Sequence, residues 1–180
     1  MSNLISIGDK QFKPFISQKQ LEIAVKNVAE IINTDLASEF PVFLVVLNGS
    51  FMFAADLLRY VNLPCEVCFI KIKSYEGTTS SGTTTELIGL TADLSNRTVV
   101  IVEDIVDTGV TIKKLKEQLN SKNVKQIKVA SALYKPTAHK TDDAVDYPGI
   151  KIPDEFVVGY GLDYNELGRN LKEIYQLVEE

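Results

Sequence analysis

Three carboxylates and two hydroxyls fall within nine residues of the chain, Glu103-Asp104-Ile105-Val106-Asp107-Thr108-Gly109-Val110-Thr111. They follow Thr98-Val-Val-Ile-Val102, a nearly continuous apolar run of the kind that forms a parallel strand covered on both faces. Gly109 permits the close backbone approach that a phosphate cradle needs. A helix is predicted from about Gly109 to Asn120, which puts the amides of Asp107 to Thr111, Val110 among them, at a helix N-terminus. Free N–H groups and the helix dipole attract anions there. Thr108 and Thr111 can each add a hydroxyl donor. Taken alone, Asp107 or Thr108 would be an ordinary N-cap and Glu103-Asp104 a solvated strand end. The whole pattern points instead to an anion site at a strand-to-helix turn.

The elements around this turn follow from periodicity. Ser17 opens a helix with Gln20 as its capping-box partner, and Leu21, Ala24, Val25, Val28, Ile32 and Leu36 mark its buried face. Pro41 to Leu47 reads as a buried strand, broken by Asn48-Gly49-Ser50, and Phe51 to Val61 as a short helix. Further strands are predicted at Val67–Lys73, Glu86–Leu90, Ile127–Tyr134 and Phe156–Tyr160. Alternating strands and helices imply an α/β fold, a twisted and mostly parallel sheet flanked by helices. Ligands of such sheets lie outside the C-terminal ends of the strands, where the turn after Val102 falls. Between two of the strands lies a stretch of glycines and hydroxyls, Ser74 to Thr85, with almost nothing to bury. It reads either as an ordinary hairpin loop or as a lid.

Composition narrows the class. The chain has 180 residues, 45% of them hydrophobic and 24% charged, which fits one globular domain over 1–180. No apolar run reaches membrane-span length, and the N-terminus does not read as a secretory signal. Nineteen basic against twenty-four acidic residues give a net charge of −5, which argues against duplex nucleic acid as a partner. Two cysteines make no disulfide framework, so a cytoplasmic setting is expected. Cys65-Glu-Val-Cys68 lies in a strand-like run that sends its sulfurs to opposite faces, so it reads as structural. His139 reads as a bystander in a polar loop, and Lys113, Lys114 and Lys116 as a solvated helix face.

The turn resembles the phosphoribosyl-pyrophosphate signature of the phosphoribosyltransferase family, a hydrophobic strand followed by two acidic residues and a Thr-Gly-x-Thr loop. The resemblance implies that Glu103 and Asp104 hold the ribose hydroxyls of the sugar donor, and that Asp107 to Thr111 cradles its 5′-phosphate. Members acting on 6-oxopurines carry an acidic residue at the position of Asp107, which implies proton exchange with purine N7. The likeness runs from about Gln20 to Leu171. Leu47-Asn48-Gly49-Ser50 looks like the pyrophosphate loop, with a cis peptide implied between Leu47 and Asn48. Many relatives have lysine where this chain has Asn48, which leaves the pyrophosphate contact to the backbone. Lys71, Lys73, Ser74 and Tyr75 are similar to the start of the family's mobile loop, implying a lid over about 74–85 that excludes water. Lys135 is implied to donate to the purine O6. In Pro153-Asp-Glu-Phe-Val-Val-Gly-Tyr-Gly-Leu-Asp163, Phe156 is implied to stack on the base, the main chain of Val157 to read its edge, and Asp163 to meet magnesium. Arg169 is implied to reach the pyrophosphate.

The family's fold would add a small hood, built from the N- and C-terminal segments, over the C-terminal strand ends. The implied activity is transfer of phosphoribosyl to hypoxanthine, and to guanine, with Mg2+. Glu103 and Asp104 join Asp163 as its expected ligands, and Mg2+ reconciles the acidic chain with an anionic donor. A homo-dimer or homo-tetramer is also implied. The alternatives are a xanthine-preferring enzyme and an RNA-binding regulator of the same fold; Asp107 and the missing basic patch argue against the second.

Overall fold

The computed structural model describes residues 4–75, 84–90, 92–141 and 145–178, with only the backbone described at 73–75 and 84–88. Ten strands and three helices occur among them: β1 (Ile5–Ile7), β2 (Lys10–Ile16), α1 (Gln18–Asp35), β3 (Val42–Leu47), α2 (Phe51–Leu58), β4 (Glu66–Tyr75), β5 (Thr84–Ile88), β6 (Thr98–Val106), α3 (Val110–Asn120), β7 (Gln126–Tyr134), β8 (Tyr147–Lys151), β9 (Val157–Val158) and β10 (Ile174–Leu177). The larger sheet has the order β5-β4-β3-β6-β7-β8. Five of its strands run parallel and β5 is an antiparallel edge.

The apolar runs become the central strands for the reason their composition suggests. Along β3, Val42 and Leu44 pack with Ile112, Leu115 and Leu119 of α3, while Phe43 and Val45 pack with Leu21, Val25 and Val28 of α1 and Phe53 and Leu57 of α2. Alternate residues thus feed two cores, so no position on the strand can be polar. α1 begins at the expected capping box, with Ser17 and Gln20 satisfying each other's backbone amides. Cys65 borders one core and Cys68 lies in the other, as their strand spacing implies.

The smaller sheet has the order β1-β2-β10-β9 and is antiparallel throughout, so it ties both ends of the chain together. Three of its strands escape a reading by periodicity. β2 buries only Phe12 and Ile16 and contains Pro14, and β1 and β10 are three and four residues long. β8 escapes it too, because Pro148 and Gly149 interrupt the strand pattern. It is the edge strand of the larger sheet, where a missing N–H is tolerated.

Three predicted strands need correcting at their ends, the one expected over Glu86–Leu90 running instead from Thr84 to Ile88, before Gly89 turns the chain at φ +91°. The strand from Thr98 continues to Val106, which puts Glu103 and Asp104 inside it rather than beyond it. Phe156–Tyr160 contains only the two-residue β9, because Gly159, Tyr160 and Gly161 all take positive φ. Ser74 and Tyr75 pair with Thr85 and Thr84, so both ends of the expected loop belong to strands; residues 76–83 lie outside the described residues. No helix among the described residues is long and apolar enough to cross a membrane.

Candidate active site

The C-terminal ends of β3 and β6 frame a cavity of about 420 Å³. Asn48, Gly49, Glu103, Asp104, Asp107, Thr108, Gly109 and Thr111 all line it, so the structure gathers the two loops singled out in the sequence around one space. Gly109, at φ +80°, is the residue before α3, and as its N-cap it supplies no side-chain hydrogen bond. A side chain at this position would be strained, and its Cβ would also lie 2.5 Å from Thr141 Oγ1 and 2.7 Å from His139 Cε1. His139 is therefore packing against the turn rather than remote from it. The first amides of α3 receive no side-chain cap from that residue. Val110 belongs to this turn through its backbone; its side chain is exposed.

The carboxylates at the strand end are unusual. Glu103 is only 7% exposed, and no hydrogen bond or ion pair reaches its carboxyl among the described residues. Burial, and the Asp104 charge beside it, hold its pKa well above the usual carboxylate range. Asp104 accepts a hydrogen bond from the Ile105 amide at 2.6 Å. Burial pushes its pKa up to about 6, against the lowering effect of that amide and of Arg169, with Asp163 raising it further.

Opposite these groups the pyrophosphate-loop candidate is built tightly. The Leu47–Asn48 peptide is cis, as expected from the resemblance. Ser50 does not cap α2; its hydroxyl turns back to donate to the Val46 carbonyl. Gly49 is buried, and a Cβ on it would fall on the Asp104 carboxylate. Asn48 is exposed.

Two further clusters adjoin the cavity. Lys135 Nζ donates to Asp107 Oδ2 at 2.9 Å and to Asp154 Oδ1 at 3.1 Å. Burial alone would lower the Lys135 pKa, but these two carboxylates outweigh it and raise the value. Arg169 donates to the Gly161 carbonyl at 2.9 Å and pairs with Asp163 Oδ1 at 2.7 Å and Glu166 Oε2 at 3.0 Å. Gly161 in turn lies against the backbone of Gly49, where a Cβ would meet the Gly49 carbonyl. The C-terminal motif therefore reaches the cavity through backbone contact.

Phe156 is 47% exposed and meets the rings of Phe12 and Tyr164 at centroid distances of 6.4 and 6.1 Å, the second edge-on. Val157 is buried and pairs with Gln176 of β10. Neither lines the 420 Å³ cavity, and neither does Lys71, which is exposed on β4. Of Ser74 and Tyr75 only the backbone is described. Sequence reasoning gives Asp154, Gly161 and Tyr160 no role. Tyr160 is buried and donates to Asp56 Oδ2 of α2 at 2.7 Å, which joins the C-terminal motif to the helix after the Asn48 loop. The signal open to all three is their place in the motif from Pro153 to Asp163.

Residues 16–165 match the model of the phosphoribosyl transferase domain. A hypoxanthine-guanine phosphoribosyltransferase of Staphylococcus epidermidis is 41% identical over 166 residues, covering 92% of this chain and 93% of that protein. One from Aquifex aeolicus is 37% identical over 173 residues, covering 95% and 97%. The crystal structure of a hypoxanthine phosphoribosyltransferase from Staphylococcus aureus superimposes with a TM-score of 0.84 at 36% identity, covering 92% of this chain and 90% of that one.

Proposed function

The chain belongs to the phosphoribosyltransferase family, with its type I fold, and from that premise we propose that it is a purine-salvage enzyme acting on hypoxanthine and guanine. It transfers the 5-phosphoribosyl group of phosphoribosyl pyrophosphate to purine N9, giving IMP or GMP and pyrophosphate. The observation that carries this reading is the meeting of three groups at one cavity. These are the first amides of α3, the buried Glu103-Asp104 pair, and the Asp107 carboxylate beside the Lys135 ammonium.

Each group has a role in the reading. The amides and hydroxyls of Asp107 to Thr111 bind the 5′-phosphate. Glu103 and Asp104 accept from the ribose hydroxyls and lie near the anomeric carbon as it gains positive charge. Asp107 exchanges a proton with N7, and Lys135, which can only donate, favours a 6-oxo over a 6-amino ring. Phe156 stacks on the base, the backbone of Val157 reads its edge, and Arg169 with the Asn48-Gly49 backbone holds pyrophosphate. The segment from Ser74 and Tyr75 closes over the centre.

Mg2+ fits the donor set. Glu103, Asp104 and Asp163 offer hard oxygen atoms, and the first two have no cation in hydrogen-bond contact among the described residues. No group of three candidate ligand side chains converges among those residues either. Mg2+ takes most of its ligands from phosphate oxygens and water, so few protein carboxylates suffice to hold it. When bound, it neutralises the pyrophosphate and its leaving charge.

A homo-dimer or homo-tetramer in the cytoplasm completes the reading. Val67 and Phe69 stand exposed on one face of β4 and favour self-association. The test is release of pyrophosphate from phosphoribosyl pyrophosphate with hypoxanthine, guanine, xanthine and adenine in parallel, with and without Mg2+. Turnover with hypoxanthine and guanine is expected. Turnover with xanthine alone would change the substrate, and none from folded protein that binds the donor would return the fold to a sensing role.

A further inference from the structure

We propose that Asp154 is a positioning residue that holds the Lys135 ammonium aimed at the 6-oxo group of the purine. The inference rests on the 6-oxopurine reading above and adds to it a residue outside the assigned machinery. Lys135 has three N–H donors on a side chain that is 8% exposed. One goes to Asp107 Oδ2 and one to Asp154 Oδ1, which leaves a single donor for a carbonyl oxygen. Asp107 keeps its other oxygen for the base.

The backbone fixes all three groups. The Lys135 amide donates to the Val106 carbonyl at 2.9 Å, next to Asp107, and its carbonyl accepts from Ala138 and His139. Asp154 follows Pro153 in a tight turn closed by the Glu155 amide on the Pro153 carbonyl, just after Ile152 donates to Tyr134. The ends of β6, β7 and β8 therefore meet at one ammonium. Without Asp154, the only carboxylate left on Lys135 among the described residues is Asp107, and the ammonium can collapse onto it. Such a collapse would spend the O6 donor. Asp154 is itself 64% exposed, so its pairing contributes little to stability and its effect belongs to base binding.

The experiment measures steady-state kinetics and melting for the parent, Asp154→Asn, Asp154→Ser and Asp154→Glu, with hypoxanthine as substrate and unsubstituted purine, which lacks O6, as a competing ligand. Asp154→Ser should raise KM for hypoxanthine about tenfold, the size of one charge-assisted hydrogen bond, and Asp154→Asn, which keeps a neutral acceptor for Lys135, should raise it less. KM for phosphoribosyl pyrophosphate, the inhibition constant of unsubstituted purine and the melting temperature should stay put, and Asp154→Glu should recover most of the loss. Equal weakening of hypoxanthine and unsubstituted purine, or none of either, in an active parent background would overturn the role of Asp154 alone. A parent that turns over no 6-oxopurine would overturn the enzyme reading and this role with it.

Discussion

The turn from Glu103 to Thr111 lines the cavity and the loop from Gly159 to Arg169 packs against its Gly49 wall, and the two treat the charge of their acidic residues in opposite ways. In the loop, Asp163 and Glu166 are satisfied by Arg169, and Asp163 also accepts from the Glu166 amide at 2.8 Å. In the turn, Glu103 and Asp104 are desolvated with no cation in hydrogen-bond contact among the described residues, and their pKa values rise accordingly. The loop is electrostatically complete by itself. The turn is held in a state that only an incoming positive charge or a hydroxyl donor would relieve. Stabilisation is therefore withheld from the strand end where the reaction generates or brings in positive charge, and concentrated in the loop that must keep its shape.

Substitutions on either side test that contrast. The greatest loss should come from Asp107→Asn, which keeps the Lys135 hydrogen bond but removes the proton acceptor. Turnover should fall by about 10²- to 10⁴-fold with an unchanged melting temperature. Unaltered turnover would move proton exchange away from the turn. Next, Gly161→Ala places a methyl against the Gly49 carbonyl at a residue with φ +103°. Overpacking of this kind costs about 1–3 kcal/mol. Because the displaced groups are Gly49 and Arg169, KM for phosphoribosyl pyrophosphate should rise about tenfold while KM for the base changes little. A purely thermal effect would separate the loop from donor binding.

The turn itself is tested by Asp104→Asn, through stability rather than rate. The folded value of Asp104, about 6, lies above its ordinary 3.8. Between those pH values the folded chain holds a proton that the unfolded chain has released, so stability falls as pH rises through that window. The asparagine variant has no such penalty. Its melting temperature relative to the parent should climb by several degrees between pH 4 and pH 7, at about 2–4 °C per kcal/mol for a domain of this size. A constant difference would mean that the Asp104 charge is already compensated. The smallest effect belongs to Tyr160→Phe. It removes the hydrogen bond to Asp56 and should cost about 1 kcal/mol by denaturant melting, with turnover reduced less than threefold.

What can be read from the sequence tracks how local each feature is. The phosphate turn is nine consecutive residues, and its chemistry is visible in their types and order alone. The parallel strands are legible because both faces of β3, β6 and β7 are buried, which leaves an unbroken apolar run. The small sheet is not, because β2 buries two side chains in seven and its partners are too short to show a period. The Asp107–Lys135–Asp154 cluster joins residues 28 and 19 positions apart, and no spacing rule connects them. Likewise, the value of Gly161 lies in the Gly49 backbone that it admits.

The order of strands in the small sheet sets a schedule for the chain as it is made. β9, next to Phe156, is paired among the described residues only with β10, and β10 is slotted between it and β2 from the far end of the sequence. The larger sheet is complete once residue 151 has emerged, and with it the phosphate turn. The proposed wall for the base must wait for residues 174–177. A ribosome that stalls short of them leaves a chain with the proposed cradle for the sugar donor and without the segment proposed to hold the purine.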